Sequence, residues 1–143
     1  MDINCVIVDS AYPERLAAFW SELLGRPIVG RTGPYVWLER GNGLGVGFQR
    51  ADRPKAGKNR LHLDLESEDP AAEQSRVEAL GGRRLADYDT GGFLVMADPE
   101  GNEFCVIPRD PFDLDEEGRA GYLTGAPKTG SASAPGSAGT ETE

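Results

Sequence analysis

The sequence predicts an α+β protein of two βαβββ modules forming a curved mixed sheet around a cleft, with helices on the outer face and a disordered C-terminal tail. Three observations predict it. The order strand, helix, three strands occurs twice, displaced by about 57 residues. Each helix candidate opens on a proline, Pro13 or Pro70, and closes at glycine, Gly25 in the first and Gly81 or Gly82 in the second. From about Thr124 the composition shifts to Gly, Ala, Ser, Thr and Pro without apolar periodicity, which leaves that segment nothing to bury.

In the first module the alternating stretch INCVIVD is a strand candidate. Pro13 then opens PERLAAFWSELLG, where Leu16, Phe19, Trp20, Leu23 and Leu24 form one apolar stripe at helical spacing, so Trp20 belongs to the core. RPIVGR, YVWLER and GLGVGFQ follow as three strands separated by glycine and asparagine turns. The second module repeats the series with strand LHLDLE from Leu61 and helix PAAEQSRVEALGG, in which Val77 and Leu80 turn inward. Strands RRLADY, FLVMAD and EFCVIP complete it. Asp98 to Asn102 joins the last two through turn chemistry, with Pro99 presetting φ and Gly101 and Asn102 tolerating left-handed backbone.

One βαβββ unit leaves a face of its sheet open. Two units set edge to edge, with helices outside, would curve their inner faces around a space fit for a small ligand. The expected divisions are modules 1–52 and 59–109 within one domain, 1–109. An extension, 110–123, docks on it through Phe112, Leu114, Tyr122 and Leu123, and residues 124–143 form the tail.

Composition narrows the function. The chain has 143 residues and a formal net charge of -9, with its cations scattered among more numerous acids, which argues against a nucleic-acid partner. The opening MDINCVIV lacks a basic leader, and no stretch approaches the roughly 20 apolar residues of a membrane span, so a cytoplasmic protein without a membrane partner is expected. Cys5 and Cys105 are too few for a disulfide framework and read as reduced thiols. The glycine-rich GNGLGVG leads into a strand rather than a helix, and no P-loop, GxGxxG, GxSxG elbow or Ser-His-Asp order occurs.

The candidate site residues follow from alternation. The chain's one histidine, His62, shares a strand face with Asp64 and Glu66, while Leu61, Leu63 and Leu65 face the core. A carboxylate two residues away could orient the imidazole or raise its pKa, so His62, Asp64, Glu66 and Glu103 are the acid/base candidates. Ile3, Cys5 and Ile7 share a face of the first strand, and Glu103, Cys105 and Ile107 share one of the last. In YVWLER either Tyr35 and Trp37 or Val36 and Leu38 face the cleft. The aromatic pair is assigned there because its rings suit a planar or cationic ligand. Arg60 and Arg109 flank strands; either could steer an anionic ligand, but isolated arginines usually sit at the surface, and they are read there.

LAAFWSELLG after the first strand, RLHLDL opening the second module, VEALGGRRL closing its helix and DPEGNEFCVI entering the last strand stand in the order of a known family. Over about Cys5 to Pro108 the sequence resembles the vicinal oxygen chelate superfamily, the glyoxalase/bleomycin-resistance/dioxygenase fold, and most closely its glyoxalase-like domain proteins. The resemblance implies four metal-ligand positions, here Cys5, Gln49, His62 and Cys105. Only His62 keeps the usual ligand type, so the hard-oxygen set for Ni, Fe or Mn is missing. No cofactor is therefore expected, with a Cys2His zinc site of Cys5, His62 and Cys105 as the alternative.

The resemblance further implies a small-molecule-binding protein, of drug-binding or resistance type, whose ligand meets Cys5, Tyr35, Trp37, Gln49, His62, Asp64, Glu103 and Cys105. Its alternative is a lyase or isomerase using His62 as base. The partner expected is a small organic ligand, cationic if the cleft is acidic. A homodimer is the assembly implied, with the cleft completed within one chain.

Overall fold

A computed structural model describes residues 1–85 and 94–109. The first module runs β1 (Cys5–Ser10), α1 (Pro13–Leu24), β2 (Ile28–Thr32), β3 (Tyr35–Leu38) and β4 (Gly45–Arg50). The second runs β5 (Leu63–Ser67), α2 (Pro70–Ala79), β6 (Arg83–Arg84), β7 (Leu94–Ala97) and β8 (Glu103–Pro108). The protein is α+β, with two βαβββ modules as the sequence predicts.

The duplication extends to strand pairing. Module one has the order β1-β4-β3-β2 and module two β5-β8-β7-β6. In both, the first strand pairs in parallel with the last, and the remaining neighbours are antiparallel. The expected curved sheet takes the form of two four-stranded mixed sheets.

Local sequence explains the helices. Pro13 supplies a preset φ at the start of α1, and the Ser10 hydroxyl accepts the Tyr12 N–H at 3.0 Å just before it. Gly25 ends the helix with φ 64, a left-handed conformation that favours glycine. Between these ends Leu16, Ala17, Phe19 and Trp20 are buried. Helix α2 also opens on a proline, and its Asp69 carboxylate accepts the Ala72 N–H at 3.1 Å. It buries only Val77, because most of its remaining positions are polar or alanine.

The two modules share one core. Leu16, Phe19, Trp20, Val36, Val46 and Phe48 from the first cluster with Val77, Met96, Phe104 and Val106 from the second. Phe104 packs edge-on to Trp20 at 4.9 Å between centroids and to Phe19 at 6.4 Å. Removing each such large side chain from water contributes about 1.5–3 kcal/mol. The core expectation for Trp20 is met, and its indole N–H donates to Asp98 at 3.1 Å.

The second module's first strand differs from its expected bounds. It begins at Leu63 rather than Leu61, so His62 precedes the strand and Leu61 is 69% exposed instead of facing the core. The backbone bends at 60–61, breaking the alternation that would have turned Leu61 inward. The second half of the strand expected in RRLADY, the start of FLVMAD, the residues Phe112, Leu114, Tyr122 and Leu123 expected to dock the extension, and the tail lie outside the described residues. Among the described residues no helix is long and apolar enough to cross a membrane.

Candidate functional site

A cleft of about 520 Å³ lies where β1 approaches the segment leading into β5. Strand β1 lends it Ile7 and Asp9, and Trp20 and Phe104 reach it from the core. The opposing wall carries Arg53, Lys55, Arg60, Leu61 and His62. Its size falls within the range of small-ligand sites.

Three carboxylates at this cleft are engaged by donors of the protein, and two of them, Asp98 and Glu100, join the modules. Asp98, 1% exposed, accepts the Trp20 indole N–H, the backbone N–H groups of Glu100 and Asn102, and the Asn102 amide. Glu100 reaches back to module one, accepting from the Ser10 hydroxyl and, at 2.8 Å, from the Ala11 N–H. Glu103 accepts the Asn59 N–H at 3.0 Å and pairs with Lys55 at 3.1 Å. Burial acts to raise its pKa, but the Asn59 and Glu103 N–H groups and the Lys55 ammonium outweigh burial and hold it below the ordinary carboxylate value. The turn DPEGN is thus a clamp between modules as well as a hairpin.

Beside the cleft, His62 Nε2 stands 3.3 Å from Asp64 Oδ1. The β5–β8 register sets Asp64 opposite Cys105, and the thiol donates a hydrogen bond to the carboxylate. Burial, then the Asp64 charge and hydrogen bond, push the Cys105 pKa up to about 11, against a smaller opposing effect of Lys58. At neutral pH the thiol stays protonated and is a poor nucleophile. Glu66 faces solvent, 3.9 Å from Arg109.

The imidazole, carboxylate and thiol donor atoms lie within 4.8 Å of one another. They are of kinds that bind zinc. The group contains Asp64 in place of Cys5, so the expected Cys2His set does not assemble. Cys5 lies on the other sheet, where its sulfur accepts from Asn4 at 3.2 Å and from Arg40 at 3.7 Å. Gln49 is on that sheet too, in register with Asp9 and Tyr35. The β5–β8 register brings Cys105 to Asp64, whereas the Cys5 sulfur is turned to Asn4 and Arg40 within module one.

The remaining predicted residues gather on the first sheet. Tyr35 and Trp37 point away from buried Val36 and Leu38, with rings stacked at 5.4 Å and 21°. Trp37 lies over Gly47, where an added Cβ would come within 2.6 Å of the indole and 3.1 Å of Ile7. Glycine at 47 is what lets the ring lie flat. Neither aromatic lines the cleft, whereas His62 and Glu103 do.

Arg53, Lys55, Leu61 and Asn59 were missed as lining residues, and Arg60 was read as surface. A signal was present. From Arg50 to Arg60 the chain places Arg50, Arg53, Lys55, Lys58 and Arg60 with one acid, Asp52, so the cations are not uniformly scattered.

Solved structures share this architecture. A glyoxalase/bleomycin resistance protein/dioxygenase family enzyme from Burkholderia phytofirmans PsJN aligns with TM-score 0.61 and 18% identity, covering 76% of this chain and 98% of that one. A possible glyoxalase from Bacillus cereus gives TM-score 0.61 at 14% identity, over 75% and 98%. A glyoxalase-related enzyme from Fulvimarina pelagi gives 0.60 at 20% identity, over 84% and 96%. No curated protein matches the sequence. The sequence pattern of the glyoxalase-like domain matches residues 5–107, most of the chain, and with the duplicated fold it makes this protein a member of the glyoxalase-like domain family within the vicinal oxygen chelate superfamily.

Proposed function

We propose that this protein binds a small organic molecule in the cleft between its modules. The observation carrying the reading is the cleft of about 520 Å³ in which apolar Ile7 and Leu61 stand among polar groups. That mixture of apolar surface and a few polar groups is typical of small-molecule sites. Drug binding is the biological form that the family resemblance favours.

A thermal-shift screen of small organic compounds tests the reading. Hits should raise the melting temperature of the wild type, be recovered intact after incubation, and lose their effect when Ile7→Trp narrows the cleft. A screen without hits, or hits indifferent to Ile7→Trp, overturns it.

A second reading, proton transfer next to a carbonyl, is favoured by the His62–Asp64 separation of 3.3 Å at the cleft wall. His62 would take the proton and Asp64 would orient the ring. Under this reading a hit is consumed, and His62→Ala stops consumption while binding persists. Zinc held by His62, Asp64 and Cys105 is a variant of it, in which the ion would polarise the substrate carbonyl. Stoichiometric zinc in protein purified without a histidine tag would support that variant; its absence would remove it.

A further inference from the structure

The net charge of -9 suggests a protein that prefers cations, but the cleft is built the other way. Three of its carboxylates, Asp98, Glu100 and Glu103, are engaged by donors from the protein itself. On the facing wall, Arg53 and Arg60 have no hydrogen-bond or ion-pair partner among the described residues. The other cations of this segment have partners: Arg50 donates to the Ala11 carbonyl at 3.0 Å, Lys55 pairs with Glu103, and Lys58 donates to the Asn59 carbonyl at 3.4 Å. Among the described residues, these two guanidinium groups at the cleft are thus the ones without a protein partner.

Apolar surface accompanies them. Ile7 and Leu61 are large hydrophobic residues left 39% and 69% exposed, and they line the cleft from different walls. Water gains nothing from solvating either side chain, so an apolar body placed between them releases that surface. Asp9 is the remaining carboxylate of the cleft. It lies on β1, in register with Gln49, and adds negative charge to the cleft lining.

We propose that the cleft selects an amphipathic anion, with an apolar body between Ile7 and Leu61 and a carboxylate or similar oxyanion directed to Arg53 and Arg60. The inference rests on the reading of the cleft as a small-molecule site and adds the ligand's charge and orientation. Guanidinium groups suit this role because their planar fork can donate two parallel hydrogen bonds to one oxyanion.

Three probes with a common phenylpropyl body test it: phenylbutyrate, phenylbutyramide and phenylbutylamine, titrated into the full chain and followed by amide NMR shifts. The carboxylate should bind about three- to tenfold more tightly than the amide, and the amine most weakly, because the guanidinium groups are exposed to solvent and screened. Shifts should include Ile7 and residues 53–62. Arg53→Gln combined with Arg60→Gln should abolish the carboxylate's advantage over the amide, and Asp9→Asn should lower the amine's affinity and raise the carboxylate's. Equal binding of all three, a preference for the amine, or an advantage that survives the double substitution overturns the anion assignment but leaves the cleft as a ligand site. Absence of binding by any probe at millimolar concentration overturns both. Retained chemical-shift dispersion in the double variant verifies that it is folded.

Discussion

The two modules have the same strand order and the same parallel first-to-last pairing, yet they contribute different things. Module one supplies the heavier part of the core: α1 buries Leu16, Phe19 and Trp20, and its sheet adds Val36, Leu38, Val46 and Phe48. Module two buries a single side chain from α2, Val77, but carries the titratable cluster of His62, Asp64 and Cys105. A repeated topology therefore does not imply repeated roles. Backbone pairing is insensitive to which side chains stand on the open faces, so one copy can specialise in packing and the other in polar chemistry.

The largest test of this contrast compares the two helices. Trp20→Ala should cost about 3–5 kcal/mol, from lost apolar contact, a cavity against Phe104 and an abandoned partner for Asp98. Val77→Ala should cost about 1–2 kcal/mol, the loss of two methyl-sized groups. Urea denaturation measures both, and equal costs would break the comparison.

Next in size is the clamp between modules. Asp98→Ala leaves the Trp20 indole N–H and two backbone N–H groups without their acceptor and should cost about 2–4 kcal/mol. Glu100→Gln retains acceptor capacity and should cost about 1 kcal/mol or less. If Asp98→Ala proved as mild as Glu100→Gln, the turn would be a hairpin connection with little part in joining the halves.

Glu103 gives a smaller, pH-dependent effect. Its folded pKa lies below the unfolded value, so the stability it contributes is present above the unfolded pKa and disappears as pH falls through the folded one. Between about pH 5 and pH 3 the wild type should lose more stability than Glu103→Gln, as followed by denaturation at each pH. Parallel curves would show that the Lys55–Glu103–Asn59 contacts add no net stability.

The mildest test concerns reactivity. In a Cys5→Ser background with chelator present, Cys105 should alkylate slowly at pH 8. Asp64→Asn should speed it several-fold by lowering the thiol's pKa, although burial, the larger cause, remains. Alkylation unaffected by Asp64→Asn would separate Cys105 from the carboxylate and dissolve the polar cluster of module two.

Much of the fold was legible because it rests on local, periodic signals. Pro13, Pro70 and Gly25 mark helix ends through their own backbone preferences, and Leu16, Phe19 and Trp20 recur at the helical period wherever the helix is placed. The site was less legible. His62 and Asp64 are neighbours along the chain, and their pairing could be anticipated; Cys105 joins them only through the β5–β8 register. Cys5 stands in module one where His62 stands in module two, and still belongs elsewhere. Leu61 broke its alternation at a backbone bend, and the basic run from Arg50 to Arg60 could be given no role until its segment was seen beside β1.

By itself the sequence determined the two βαβββ modules, the helix boundaries and the apolar stripe that makes the core, because each depends on residues within a few positions of one another. Tertiary structure alone decided which polar groups share a space: it joined Cys105 with His62 and Asp64, left Cys5 on the other sheet, and enlisted Asp98 and Glu100 as a clamp. The physical reason is range. Conformational preference and periodicity are local, whereas a site depends on distances set by strand pairing and packing between residues far apart in the chain.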